Sequence, residues 1–180
     1  MKKYPDRLDM HLGKIHVLGL VSRYEEQKEA LITILNISSQ NGNNWLWHNG
    51  EKLADGFRDL LENTQGRIYQ YFQLADEKAY DYIIEISEKI IEIYPQVVYS
   101  YNNIAAVHYY RGNYRDALKY YKMAEERDPY DTIVINNIAY LSRVTGDIET
   151  ALEYYEKLKL YGNEEEKEFA EAQIKKLDAE

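Results

Sequence analysis

From Val98 onward the chain copies itself at a fixed interval, and this copy constrains the fold more than any other feature of the 180 residues. Laying Val98–Asp131 over Thr132–Glu165 brings Tyr101, Ile104, Ala105 and His108 onto Ile135, Ile138, Ala139 and Ser142. Asn102 and Asn103 fall on Asn136 and Asn137, Gly112 on Gly146, Tyr114 on Ile148, and Ala117, Tyr121 and Ala124 on Ala151, Tyr155 and Leu158. The period is 34 residues. Within each unit the apolar residues recur three and four apart, pause at the glycine and resume, which predicts two antiparallel helices per unit. Gly112 and Gly146 follow the last apolar residue of a helix, where a left-handed residue turns the chain back and a side chain would cost roughly 1 kcal/mol. Ala105, Ala117, Ala124, Ala139 and Ala151 are small where two helix backbones come close, and Tyr121 and Tyr155 fill the space between them. Pro129 stops the second helix of the first unit. The second unit ends instead on Tyr161-Gly162-Asn163.

The period and these positions closely resemble the tetratricopeptide repeat (TPR) family. The resemblance implies an all-α, right-handed TPR-like helical solenoid of about nine antiparallel helices, closed by a C-terminal capping helix, and acting as a binding scaffold. On this pattern residues 1–40 are a degenerate TPR-like helix pair, and 41–50 an Asn/Gly/Trp loop. Residues 51–97 are a long helix plus a divergent repeat, 98–131 and 132–165 are full repeats, and 164–180 are the capping helix.

The residues upstream support helices in their own right. Leu8, Leu12, Ile15 and Leu18 share one helical face with Asp6 as N-cap, and Ala30, Leu31, Ile34 and Leu35 give a second face from about Glu25 to Ser38. Asn41-Gly42-Asn43-Asn44 and Asn49-Gly50 are turn sequences, and the loop they frame carries both tryptophans, Trp45 and Trp47. These either fold back to plug a seam between helix pairs or present an aromatic platform. Phe57, Leu61, Thr64, Ile68, Tyr71, Phe72 and Ala75 continue on one stripe, a long helix from about Leu53 to Ala75 weakened at Gly66. Tyr80, Ile83, Ile84, Ser87, Ile90 and Ile91 form the next helix, ended by Tyr94-Pro95, and the turn before it lacks glycine. Phe169, Ala170, Ile174 and Leu177 make one narrow stripe on a last helix whose Glu164–Glu166 start and Lys175-Lys176 end suit its dipole. Tyr4-Pro5-Asp6 looks like the closing end of an earlier repeat, which implies a segment of a longer protein and an uncovered apolar face on the first helix.

In this family the first helix of each unit lines the concave groove. The resemblance therefore implies a peptide-binding groove of Tyr69 and Gln73, then Asn102, Asn103 and Tyr109, then Asn136, Asn137, Tyr140 and Arg143. The Lys and Arg positions by which some members clamp an acidic chaperone tail hold Tyr69, Ile133 and Asn137, so that clamp is absent. What remains is close to an asparagine ladder, since an amide can both donate to and accept from one peptide unit. The competing reading is that Asn103 and Asn137 bond neighbouring backbone inside the solenoid.

Charge and composition narrow the function further. There are 22 basic against 31 acidic residues, a net charge of −9, with the basic residues dispersed, which argues against nucleic acid and anionic membrane. Cysteine is absent, which removes disulfides, thiol nucleophiles and thiolate metal sites. The four histidines, His11, His16, His48 and His108, show no ligand spacing, and no catalytic or phosphate-binding motif occurs, so neither metal, cofactor nor enzymatic activity is expected. No apolar run follows Met1-Lys2-Lys3 as a signal peptide requires, and no span is apolar enough for membrane insertion, so a soluble protein is expected, cytoplasmic or exported with its targeting segment absent. The expected function is a protein interaction scaffold that takes an extended peptide or a partner helix in the groove. Two alternatives are a structural or self-associating segment of a longer multi-repeat protein, including a homodimer, and a carbohydrate binder using Trp45 and Trp47.

Overall fold

The three-and-four spacing becomes helix throughout the chain. The computed structural model describes residues 5–178, and these form nine α-helices with no strand beyond isolated bridges. They are α1 (Leu8–Leu20), α2 (Tyr24–Gln40), α3 (Gly56–Leu74), α4 (Glu77–Ile93), α5 (Val98–Tyr110), α6 (Tyr114–Glu125), α7 (Thr132–Thr145), α8 (Ile148–Tyr161) and α9 (Glu164–Leu177). They group into two units, α1 to α4 ending at Tyr94 and α5 to α9 beginning at Pro95.

In the first unit α1 pairs with α2 and α3 with α4, while α2 lies on α4 and α1 on α3. Leu8, Ile15, Leu31, Ile34, Leu35, Leu60, Ile68, Tyr71, Ile83 and Ile86 fill the core between them. Two of the buried polar residues, both on α2, reach partners on other helices, Gln27 on α1 and Lys28 on α4. Gln27 donates to the Ile15 carbonyl at 2.9 Å, and the Lys28 ammonium lies 2.7 Å from both Glu29 and Glu85. Where α3 turns into α4 the sequence offers no glycine, and the chain solves this with a left-handed Ala75 (φ 50°) followed by Asp76, whose carboxylate caps α4 at the Ala79 N–H.

The loop between α2 and α3 returns across the start of α1, and this moves the expected helix start. Asp6 is not the N-cap of α1: its carbonyl accepts from the Leu46 N–H at 2.8 Å, its carboxylate takes the Asn41 amide at 3.3 Å, and Arg7 stands at the cap position. The loop's backbone competes for Asp6, and pairing across the chain wins over a local cap. The two tryptophans part company here. Trp45 is fully buried, donates its indole N–H to Ser38 at 3.1 Å, and meets His11 edge-on. Trp47 is 38% exposed beside His48. Trp45 is thus the plug, and it packs so closely that a Cβ on Gly56 would come within 2.8 Å of its own Cβ.

In the second unit α5 pairs with α6 and α7 with α8, and α9 covers α8. Gly112 (φ 73°) and Gly146 (φ 81°) make the left-handed turns inside the two pairs. Ala105, Ala117, Ala124, Ala139 and Ala151 are fully buried at the close approaches, with Tyr121 and Tyr155 between the helices. Second helix meets second helix through a polar cluster. Tyr154 donates to the Glu125 carboxylate at 2.7 Å, Lys122 and Lys157 flank it at 3.1 and 3.5 Å, and both ammonium groups lie over the Tyr154 ring. The last helix starts with a capping box, in which Asn163 accepts from the Glu166 N–H at 3.0 Å and Glu166 accepts from the Asn163 N–H at 2.8 Å.

Candidate functional site

The stacking of pair on pair brings first helix beside first helix in the second unit, so side chains on α5 and α7 meet across the seam, Asn102 with the residue one place beyond its own repeat equivalent. Asn137 donates its side-chain N–H to the Asn102 side-chain oxygen at 2.7 Å, and both residues are half-buried. One turn-pair further along, the Tyr109 hydroxyl donates to the Tyr140 hydroxyl at 3.2 Å with ring centres 5.8 Å apart. Tyr110 and Tyr114 also lie against the Tyr109 ring, each with its centre 5.7 Å away. The hydrogen bond to Tyr140 comes first, then burial and the neighbouring phenols, and together they push the Tyr109 pKa up to about 12. Arg143 places its guanidinium 5.2 Å from the centre of the Tyr140 ring, a cation–π distance. The face is therefore neutral hydrogen-bonding groups at one end and aromatic rings with one cation at the other.

Not every expected residue lies on this face. Asn103 is only 3% exposed and packs between helices, a position from which its amide is closed to solvent. Asn136 is half-buried and lines a cavity of about 290 Å³ with Ile133, Leu158, Glu165 and Phe169, and its side-chain oxygen has no hydrogen-bond partner among the described residues. The distinction between adjacent asparagines follows from helix geometry, since neighbours in sequence are turned by about 100° from each other.

The remaining expected residues belong to the first unit. Tyr69 stands 60% exposed on α3. Gln73 lines a cavity of about 400 Å³ between α1 and α3, with His16, Gly19, Leu20, Tyr24, Arg67, Gln70 and Leu74. Arg67 and His16 are contributions the sequence reading passed over. The signal that could have found Arg67 is its place three residues before Gln70 on the same helical stripe. His16 carried no such signal, because only the packing of α1 on α3 brings it there.

No described helix is long and apolar enough to cross a membrane. Among the described residues no three His, Cys, Asp or Glu side chains gather where a metal could bind. His11 is buried and bonds the Pro5 carbonyl at 2.9 Å, and His108 stacks on Tyr120, so both are packing residues.

Helix pairs stacked in this way, with glycine turns and alanines at the close approaches, define a TPR-like helical solenoid. The chain carries a tetratricopeptide repeat, since that family's model matches residues 98–131, the pair α5 and α6. Two crystal structures of MamA are similar in fold. One has a TM-score of 0.54 at 14% identity, over 87% of this chain and 78% of that one. The other has a TM-score of 0.53 at 13% identity, over 87% and 73%. No curated protein matches the sequence.

Proposed function

We propose that this chain is a protein interaction scaffold that holds an extended peptide along the α5 and α7 face. The observation that carries this reading is the Asn102 and Asn137 pair. Each amide has two donors and an acceptor, and the bond between them uses one donor of Asn137 and the oxygen of Asn102. That leaves both Asn102 N–H donors, one Asn137 N–H and the Asn137 oxygen, so the pair still offers donors and an acceptor, which is what a peptide unit needs. Asn102 and Asn137 thus serve as the rung, with Asn103 and Asn136 as its packing support, Tyr109 and Tyr140 as the aromatic wall for a side chain, and Arg143 as the cation beside it. Tyr69 and Gln73 belong to α3 of the first unit and are separate from this face. Catalysis has no place in this reading, nor has nucleic acid, for which the acidic and dispersed charge is a poor match.

Carbohydrate is less well supported, because Trp45 is buried and the two tryptophans do not form one exposed platform. Self-association has one observation in its favour, the exposure of Val17, Leu20 and Val21 at the end of α1. Sedimentation at several concentrations distinguishes it, since a dimer held there dissociates when Leu20→Glu is introduced.

The test of the main reading is selection of peptides from a display library against the purified chain, followed by NMR mapping of a selected peptide. Shifts centred on the side-chain amides of Asn102 and Asn137 and the rings of Tyr109 and Tyr140 are the expected result. Shifts centred on α6 and α8 would defeat it.

A further inference from the structure

The cavity between α1 and α3 has an unusual charge for this protein. Its lining contains no aspartate or glutamate, although the chain holds 31 acidic residues against 22 basic ones. Its one fixed charge is Arg67. Most cations of the first unit face a carboxylate: Arg7 meets Asp9, Arg23 Glu26, Lys28 Glu29 and Glu85, Arg58 Glu62, and Lys78 Glu25. Arg67 forms no ion pair with a described residue and is held by neutral acceptors, the Gln70 side-chain oxygen at 3.1 Å and the His16 Nδ1 at 3.4 Å. A guanidinium has five N–H donors in a rigid fork, so these two contacts orient it and leave three donors. The contacts also fix the neighbours. Gln70 gives its oxygen to Arg67 and keeps its NH₂, while His16 accepts at Nδ1 and so carries its own proton on Nε2. Gln73, on the next turn of α3, makes no hydrogen bond among the described residues.

We propose that this pocket is a carboxylate-binding subsite for an acidic side chain of a peptide ligand, with Arg67 as the charge partner, His16 and Gln70 as its orienting groups, and Gln73 as a second donor. A pocket with one cation, no carboxylate and further N–H donors on His16, Gln70 and Gln73 suits an anion, and a guanidinium that keeps its Nε–H and one N–H on each terminal nitrogen suits the two oxygens of a carboxylate. The amides of Gln70 and Gln73 lie one turn apart on the same stripe, where they can also meet the peptide units flanking the acidic residue, which favours a peptide over a free small acid. The inference rests on the peptide-scaffold reading but uses a different part of the chain.

The experiment titrates the intact chain with acetyl-Gly-Glu-Glu-Gly-amide, its glutamine counterpart and free succinate, followed by NMR on the His16 ring and the Gln70 and Gln73 side-chain amides. The glutamate peptide is expected to shift these signals, to weaken about tenfold or more in Arg67→Gln, and to weaken in about 0.5 M NaCl, with Arg67→Lys keeping part of the affinity. Circular dichroism of both variants separates loss of the site from loss of the fold. Equal binding of the glutamine peptide, indifference to Arg67→Gln, absence of shifts, or succinate binding as tightly as the peptide would each overturn the proposal. Shifts confined to the His16 ring and the Gln70 and Gln73 side-chain amides, with the Asn102 and Asn137 side-chain amides unmoved, keep failure here and failure at the α5 and α7 face separate.

Discussion

At the scale of the residue, the two tryptophans show how far neighbours in sequence can differ in role. Trp45→Ala is expected to destabilise the first unit by about 3–5 kcal/mol, because it removes a fully buried ring and its indole hydrogen bond to Ser38. Trp47→Ala is expected to stay within about 0.5 kcal/mol, and iodide should quench Trp47 but not Trp45 in the single-tryptophan variants. Chemical denaturation of the two alanine variants checks the first pair of values. Glu125 supplies a pH-dependent case. Burial works against its ionisation, but the Tyr154 hydroxyl and the Lys122 and Lys157 ammonium groups outweigh burial and hold its pKa below the ordinary carboxylate value. A carboxyl depressed in the folded state stabilises above its unfolded pKa, and the stabilisation is lost as pH falls through the folded pKa. Tyr154→Phe is therefore expected to cost about 1.5–3 kcal/mol at neutral pH and less in acid, measured by urea unfolding across that range. A loss that does not change with pH would show that the carboxylate is not the partner that matters. Burial of Tyr121, Tyr155 and the five alanines was legible in the sequence, because two aligned copies show which residue types recur at the contacts. The exposures of Trp45 and Trp47 were not, since a loop has no period from which to read a face.

At the scale of the element, local signals placed most helices and failed where a distant segment competed. The turns at Gly112 and Gly146 and the acidic start of α9 could be read directly, since each depends on residues within one turn of the chain. The start of α1 could not, because the loop segment at Leu46 takes the backbone of Asp6 from 40 residues away. The same limit applies to His16 and Arg67, which meet only through the packing of α1 on α3. Two element-level outcomes follow. Asn163→Ala is expected to cost about 1 kcal/mol by opening the capping box of α9, with hydrogen exchange rising first in that helix. Gly56→Ala is expected to cost about 1–3 kcal/mol, since its new methyl meets the Trp45 side chain, and a thermal melt near wild type would mean that the loop gives way easily.

At the scale of the whole molecule, the chain is a series of helix pairs whose amide residues concentrate on first helices and whose acidic residues concentrate on second helices, with aromatic residues shared between the two. The sequence yielded the architecture because a 34-residue copy is a statement about pairs of helices. It yielded the candidate face only in part. Asn102 and Asn103 are equally asparagine, and only packing tells the rung from its support. Peptide capture on α5 and α7 is the central claim, and it is tested most directly by calorimetric titration of a display-selected peptide against the wild-type chain and against Asn102→Ala with Asn137→Ala. The expected result is a loss of roughly 1–3 kcal/mol in binding, with unchanged helicity and little dependence on salt, as neutral amide hydrogen bonds require. Unchanged affinity, or a double variant that loses its helical structure, would contradict the account.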